Sequence, residues 1–314
     1  MVEIFEKRKG EKNMGKNFIE ELKKNIMNSG ASESEKSKML KNILQVEKQK
    51  INLMVTGPTG CGKSSTINAL FDAPVAKIGD GPNPETMSIQ KYELDNLIIW
   101  DTPGLGDGKE ADERHAKNII RKLNEKDEDG NLLIDLVLVI IDGSTKDLGT
   151  SYDLINNVII PNLGSDKEHR ILIAINQCDV AMKGKYWNEK LNKPEAPLVK
   201  FLDEKVDSVK KRIKDSTGVN TDPIYYSAGY NDPYMGQMKP YNLSKLLYYI
   251  VSYTPKKKRV VYVNNINQDK NMWKENDSQK NYNRGIKDSI MDAVDWIKDK
   301  AYDVFSFIGS IWPW

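Results

Sequence analysis

Cysteine and histidine are scarce, with two of each in 314 residues. Cys61 and Cys178 do not indicate a disulfide framework, and both suit the reduced thiols of a cytoplasm. An excess of one charge is also lacking. The formal net charge is +2, which gives no reason to expect nucleic acid. Long apolar runs are missing too. The longest uncharged one near the end, VFSFIGSIWPW, is too short to span a bilayer. The opening MVEIFEKRKGEKNMGKNF lacks the apolar centre of a signal peptide, so none is expected. No internal repeat is visible. Hydrophobic residues make up 39% and charged residues 29%, which allows a buried core with polar segments outside it.

What is present falls into four stretches. Residues 1–50 read as a mildly basic helical leader. Phe18, Ile19, Leu22 and Ile26 form one stripe, and Met39, Leu40, Ile43 and Leu44 a second. Ser32 with Glu35 three residues on predicts a capping box. The leader is expected to pack on the next domain, with a partner-binding arm as the alternative. From 51 to 255, apolar runs alternate with helical patterns: INLMVTG, NLIIWD, IDLVLVIID, RILIAINQ and PIYYSA each precede a helix. Continuous apolar strands followed by helices predict a parallel sheet covered on both faces. SIQKYEL alternates polar and apolar, and predicts an antiparallel edge strand joined to NLIIWD by an Asp95–Asn96 turn. Residues 256–284 read as a polar, mostly solvated connector. Residues 285–314 predict an amphipathic helix along Ile286, Ile290, Ala293, Val294, Ile297, Ala301, Val304, Phe305 and Ile308.

The stretch GPTGCGKSS follows the first apolar run. Gly57, Gly62, Lys63 and Ser64 satisfy G-x-x-x-x-G-K-[ST], a match expected by chance about once in a hundred chains of this length. It lies between a predicted strand and a predicted helix, as a phosphate-binding loop must. Gly57, Thr59, Gly60, Cys61, Gly62, Lys63, Ser64 and Ser65 are therefore the candidate nucleotide-binding loop. Backbone amides and the helix N-terminus favour phosphate oxygens. Lys63 would reach the β and γ phosphates, and the Ser64 hydroxyl would ligate Mg²⁺. In LIIWDTPGLGDG, Asp101 ends a strand, where it would stand behind the metal, and Gly104 would sense the γ-phosphate. Thr86, in the loop GDGPNPETMSI, would complete the metal shell and is preferred over Ser88. Asn176 and Asp179 form an N-x-x-D after RILIAI. A carboxylate there accepts from guanine N1–H and the exocyclic amine, and adenine offers neither donor. Ser227 and Ala228 follow the last strand, where their amides would meet guanine O6. The catalytic candidates are thus Lys63, Thr86 and Gly104, and the metal candidates Ser64, Thr86 and Asp101.

The stretches WDTPGLGDG, LVLVIIDGSTKDLGTSYDLI, AINQCD and YYSAGYN resemble the Era-like GTPases of the translation-factor class. The nearer resemblance is to a bacterial branch catalogued as ribosome-binding-type GTPases, and it covers about 51–255. It implies an α/β P-loop G domain: a six-stranded, mostly parallel sheet with one antiparallel edge strand, helices on both faces, and helical flanks. It also implies GTP/GDP and Mg²⁺ as ligands, slow hydrolysis, and a cytoplasmic switch protein. Ribosomes enter only by analogy with the branch. Loops 79–88 and 104–113 are expected to order with triphosphate and loosen after hydrolysis. Two departures stand out. Gln177 replaces the usual lysine, which braces the phosphate loop, and its loss is expected to weaken affinity. Leu105 replaces a water-orienting glutamine, so hydrolysis needs another group, a partner or a second subunit. A nucleotide-gated scaffold with negligible turnover is the alternative. His115 is read as an exposed structural histidine, and His169 is given no role. Cys61 and Cys178 are read as small residues that fit beside the nucleotide, with redox control as the rival.

The C-terminal stripe leaves three readings open: docking on its own domain or a homodimer, an unidentified protein partner, or a membrane surface. Aspartates outnumber lysines from 287 to 303, which opposes anionic lipid. The cluster Lys256, Lys257, Lys258 and Arg259 is read as a helix-end charge cluster.

Overall fold

The computed structural model describes residues 13–71, 88–106, 108–232 and 236–293. The chain opens on α1 (Asn13–Asn28) and α2 (Glu33–Glu47). The capping box forms: the Glu35 amide donates to Ser32 Oγ at 3.4 Å, and the Ser32 amide donates to the Glu35 carboxylate at 2.9 Å. Ile19, Leu22, Ile26, Met39 and Ile43 are buried, and Leu40 packs against them half-buried. Leu44 departs from the expected stripe and is 51% exposed. Met39 and Ile43 are four apart and stack on one face, whereas Leu44 lies a further 100° or so round the helix, on the open side.

The centre is a six-stranded sheet in the order β2-β3-β1-β4-β5-β6. Its strands are β1 (Ile51–Thr56), β2 (Gln90–Leu94), β3 (Leu97–Asp101), β4 (Leu136–Asp142), β5 (Ile171–Asn176) and β6 (Ile224–Tyr225). β1, β4 and β5 are buried almost throughout. A strand covered on both faces must be apolar on both, which is why these runs do not alternate. β2 alternates, half exposed, and alone runs antiparallel, turning into β3 through Asp95 (φ 41°). Aspartate tolerates that left-handed conformation better than most residues.

The two faces of the sheet feed two apolar clusters. Leu53, Val55, Leu138 and Ile140 face α3 (Lys63–Phe71), α7 (Leu243–Tyr253) and the leader. Met54, Val137, Val139 and Ile141 face α4 (Lys109–Leu123), α5 (Gly149–Asp153) with its π-helical continuation Leu154–Ile159, and α6 (Ala196–Thr217). The chain leaves β1 towards β3 on one side, then returns to β4 on the other. The order therefore reverses at β1. The carboxyl ends of β1, β3 and β4 bound the crevice in which such sheets take their ligands.

Residues 256–273 are not a solvated connector. Lys256–Asn264 form a 3₁₀ stretch with Val260, Val261, Tyr262 and Val263 buried. Ile266, Met272 and Trp273 extend the same cluster, and Trp273 is 1% exposed. The asparagines that suggested solvation close the backbone of this irregular segment. Asn265 Nδ2 donates to Val261 O at 2.7 Å, and Asn267 Nδ2 to Ala69 O at 3.0 Å. Buried irregular chain needs such partners. The last described helix, α8 (Gln279–Met291), begins six residues before the expected start at 285 and buries Ile286 and Ile290. The rest of the expected stripe, from Val294 on, lies outside the described residues, as does Phe18 as a side chain. No helix among the described residues is long and apolar enough to cross a membrane.

Trp273 distinguishes core from connector. Its indole N–H donates to Asn267 O at 2.8 Å, and Ser244 Oγ donates to its carbonyl at 3.1 Å. Trp273→Ala is expected to cost about 3–5 kcal/mol in urea unfolding, the range for a buried aromatic. A loss below about 0.5 kcal/mol, the scale of an exposed site, would return this segment to solvent.

Candidate nucleotide site

The phosphate loop leaves β1 at Gly57 and enters α3 at Lys63. Gly57 has φ 149°, and a Cβ there would stand 2.0 Å from Ile140 O on β4. A side chain is excluded, so the loop lies directly on the end of the neighbouring strand. Gly60 and Gly62 have φ 81° and 86°. Among the described residues, the amides of Gly60, Gly62, Ser64 and Ser65 have no protein acceptor. Lys63 Nζ donates to the carbonyls of Gly57 and Pro58 at 3.1 and 3.0 Å. The ammonium thus folds over the loop it belongs to. Thr66 Oγ1 anchors the first turn on Gly62 O at 2.8 Å and meets Tyr226 Oη at 2.6 Å. That buried link from α3 to the last strand's loop was not foreseen. Its only trace in the sequence is a tyrosine beside Ser227.

Asp101 sits at the end of β3, 1% exposed, with Oδ1 buried and unpartnered. Burial pushes its pKa up to about 6, and nearby Lys63 works the other way. A buried carboxylate oxygen without a donor fits an acid that completes its bonding with a cation's ligand shell. Among the described residues, no group of three or more His, Cys, Asp or Glu could hold a metal. A cation here would rely on Ser64, Asp101 and oxygens of a bound phosphate, which is the pattern of a phosphate-loop Mg²⁺ site. Thr86 lies outside the described residues, as does the rest of loop 79–87, while Ser88 is exposed at the edge of β2.

Gly104 presses on the phosphate loop. A Cβ on it would meet Thr59 Oγ1 at 2.3 Å, and the Thr59 amide donates to Leu105 O at 3.1 Å. Leu105 is buried among Met54, Ile119 and their neighbours, so it is not placed to orient water. His115 is not the exposed histidine expected from the sequence. It is buried, and its Nδ1 lies 3.2 Å from Gly104 O.

The base side is built on the end of β5. Asn176 was read as a base contact beside Asp179, yet its carboxamide is engaged within the protein at both ends. Nδ2 donates to Cys61 O at 2.9 Å, and Oδ1 accepts from the Ala228 amide at 3.0 Å. Gln177, with φ 62°, donates through Nε2 to Gly60 O at 2.9 Å. The brace that its replacement of lysine was expected to remove is therefore present. Asp179 is half-buried, and among the described residues its carboxylate accepts no hydrogen bond. The Ser227 amide donates to Tyr241 O at 3.0 Å. With the Ala228 amide on Asn176, both amides expected at guanine O6 are held by the protein in this structure, one by Tyr241 O and one by the end of β5.

Cys61 and Cys178 are fully buried, and burial pushes both thiols up in pKa, Cys178 well up. This fits small buried residues and runs against a reactive thiolate. Lys205, for which the sequence carried no signal, supports the floor of the site. It donates to Gly143 O and Thr145 O, each at 2.6 Å, below the end of β4.

Residues 52–177 match the family model described as 50S ribosome-binding GTPase. This segment is a GTPase domain. The chain is similar to the mitochondrial 5-taurinomethyluridine-[tRNA] synthase subunit GTPB3 of Mus musculus, 27% identical over 136 residues, covering 41% of this chain and 26% of that protein. It also aligns with Translocase of chloroplast 34 of Pisum sativum, 33% identical over 110 residues, covering 33% of this chain and 35% of that protein. The chain thus spans between a quarter and about a third of the curated relatives it matches. Among solved structures, Era of Aquifex aeolicus is similar, with TM-score 0.42 and 22% identity, covering 66% of this chain and 58% of that one.

The buried acid yields a pH prediction for the nucleotide-free protein. The native pKa of Asp101, about 6, exceeds its ordinary 3.8. Between these values the native state holds more proton than the unfolded state, so stability falls as pH rises. Asp101→Asn removes that dependence. Relative to wild type, the variant should gain up to about 3 kcal/mol between about pH 4 and about pH 7 in urea unfolding. A difference that does not change with pH would mean the acid is already compensated.

Proposed function

We propose that the chain is a GTP-binding switch that hydrolyses GTP to GDP and phosphate with Mg²⁺. The observation that carries this reading is the phosphate loop, with unengaged amides, beside Asp101, whose Oδ1 is buried and unpartnered. The unengaged amides at the start of α3 supply an anion site. Lys63, now on the carbonyls of Gly57 and Pro58, swings to the β and γ phosphates. Ser64 and Asp101 would hold Mg²⁺, with Thr86 as a third candidate, and a bound ion would supply positive charge to offset that of the phosphates. Gly104, with no side chain between it and Thr59, brings its amide to the γ-phosphate.

Asp179 selects guanine by accepting from N1–H and the exocyclic amine. Asn176 and Gln177 act through the backbone, holding the phosphate loop at Cys61 and Gly60. Because Leu105 is buried and aliphatic, no glutamine orients the attacking water at that position. Hydrolysis by the isolated chain is accordingly slow, and a second copy or a protein partner would supply the missing group. The two buried thiols support a reducing, cytoplasmic setting, and the resemblance of the motifs supports a bacterial source.

Binding is tested with fluorescent GDP and GTP analogues in the presence and absence of Mg²⁺. Lys63→Ala should weaken GTP roughly 10- to 100-fold, the scale of a lost hydrogen bond to a charged group. A second variant addresses the base. Asp179→Asn should move preference from guanine to xanthine nucleotides, because an amide donates to the new carbonyl. Unchanged GTP affinity in that variant would place the base elsewhere. Single-turnover release of phosphate from GTP separates a slow enzyme from a scaffold without turnover.

A further inference from the structure

His115 lies in the first half of α4 and is 2% exposed. A carbonyl oxygen only accepts, so the contact to Gly104 O at 3.2 Å puts the proton on Nδ1. Nε2 is buried with no partner. Leaving a buried polar atom idle is costly. A leucine would fill the same space without that cost, so the ring is of use here for what Nδ1 holds. One turn earlier on the same face of α4, Asp112 Oδ1 accepts from the Gly106 amide at 2.9 Å. Loop 104–106 is therefore gripped from two sides. On the other side the phosphate loop holds it, through the Thr59 amide on Leu105 O and the close approach of Thr59 to Gly104.

We propose that His115 is a positioning residue that ties the Gly104–Leu105 peptide to α4, so that the shift of Gly104 towards a γ-phosphate is passed to that helix. The proposal rests on the GTP reading above. When Gly104 moves, the Nδ1–H bond carries α4 with it, and the triphosphate-bound position of the loop is held only while a donor stands at the Nδ1 position. GDP has no γ-phosphate and makes no such demand, so the coupling appears as a preference for triphosphate.

The test compares His115→Asn, His115→Gln and His115→Leu with wild type, using fluorescent GDP and fluorescent GMPPNP with Mg²⁺ at neutral pH. Asparagine places its NH₂ near the Nδ1 position, and glutamine places it near Nε2. The asparagine variant should keep the ratio of GMPPNP to GDP affinity. The glutamine and leucine variants should lower it roughly tenfold, with GDP affinity held within about twofold, the scale of one buried hydrogen bond. An unchanged ratio in the glutamine and leucine variants overturns the proposal, and so does an equal loss in asparagine and glutamine. If the leucine variant does not fold by circular dichroism, the asparagine and glutamine pair decides alone. A wild-type protein that binds neither nucleotide overturns the GTP reading and this coupling with it. Intact GDP binding with no change in the ratio overturns the coupling alone.

Discussion

The site depends on one carboxamide. Asn176, at the end of β5, holds the phosphate loop by Cys61 O and the turn after β6 by the Ala228 amide. Two glycines make room for it. A Cβ on Gly62 would lie 2.2 Å from its Nδ2, and one on Gly143 would lie 2.5 Å from its backbone oxygen. Loops from three strands therefore converge on a single buried residue, two on its carboxamide and one, through the Gly143 amide, on its backbone oxygen. Such a buried polar junction specifies one arrangement, because displacing any of the three leaves a buried donor or acceptor unpaired. Gln177 adds a second tie at Gly60, so the phosphate loop is held at two points in the ligand-free structure.

Much of this was legible in the residues. Strands buried on both faces are apolar nearly throughout, so β1, β4 and β5 could be read as strands of a parallel sheet from the helices that follow them. The phosphate loop was legible because its glycines answer steric needs that no other residue meets. The antiparallel edge was legible from its alternation and the Asp95–Asn96 turn. Less visible were contacts made by groups whose partners lie far along the chain. Nothing near His115 in sequence announces that its ring meets Gly104 O, and nothing near Lys205 points to the loop after β4. The protein partners of Asn176, Ser227 and Ala228 were not legible, because a motif names residues and not which of their atoms the protein already uses.

The polar look of 256–273 misled for a related reason. Asparagine is read as solvated because it favours turns, yet here Asn265 and Asn267 satisfy carbonyls inside a packed, irregular segment. Tyr262, Met272 and Trp273 join the leader, α3 and α7 in one apolar cluster. The leader and this segment thus belong to the body that carries the GTPase domain. Half-buried Asp135 links this segment to the sheet: it accepts from Lys258 Nζ and from the Asn52 amide at the start of β1.

That closure has a consequence for the chain as it is made. β1 and the leader emerge early, but the apolar face they share is finished only by residues some two hundred positions later, such as Asn267 on Ala69 and Leu70. Until that segment leaves the exit tunnel, Leu53, Val55 and their neighbours lack part of their cover. Loop closure over so long a separation is slow, and uncovered strands are prone to pair with other molecules in the interval. The nascent protein is thus most exposed to aggregation, and most in need of chaperones, after its nucleotide loop has already been synthesised.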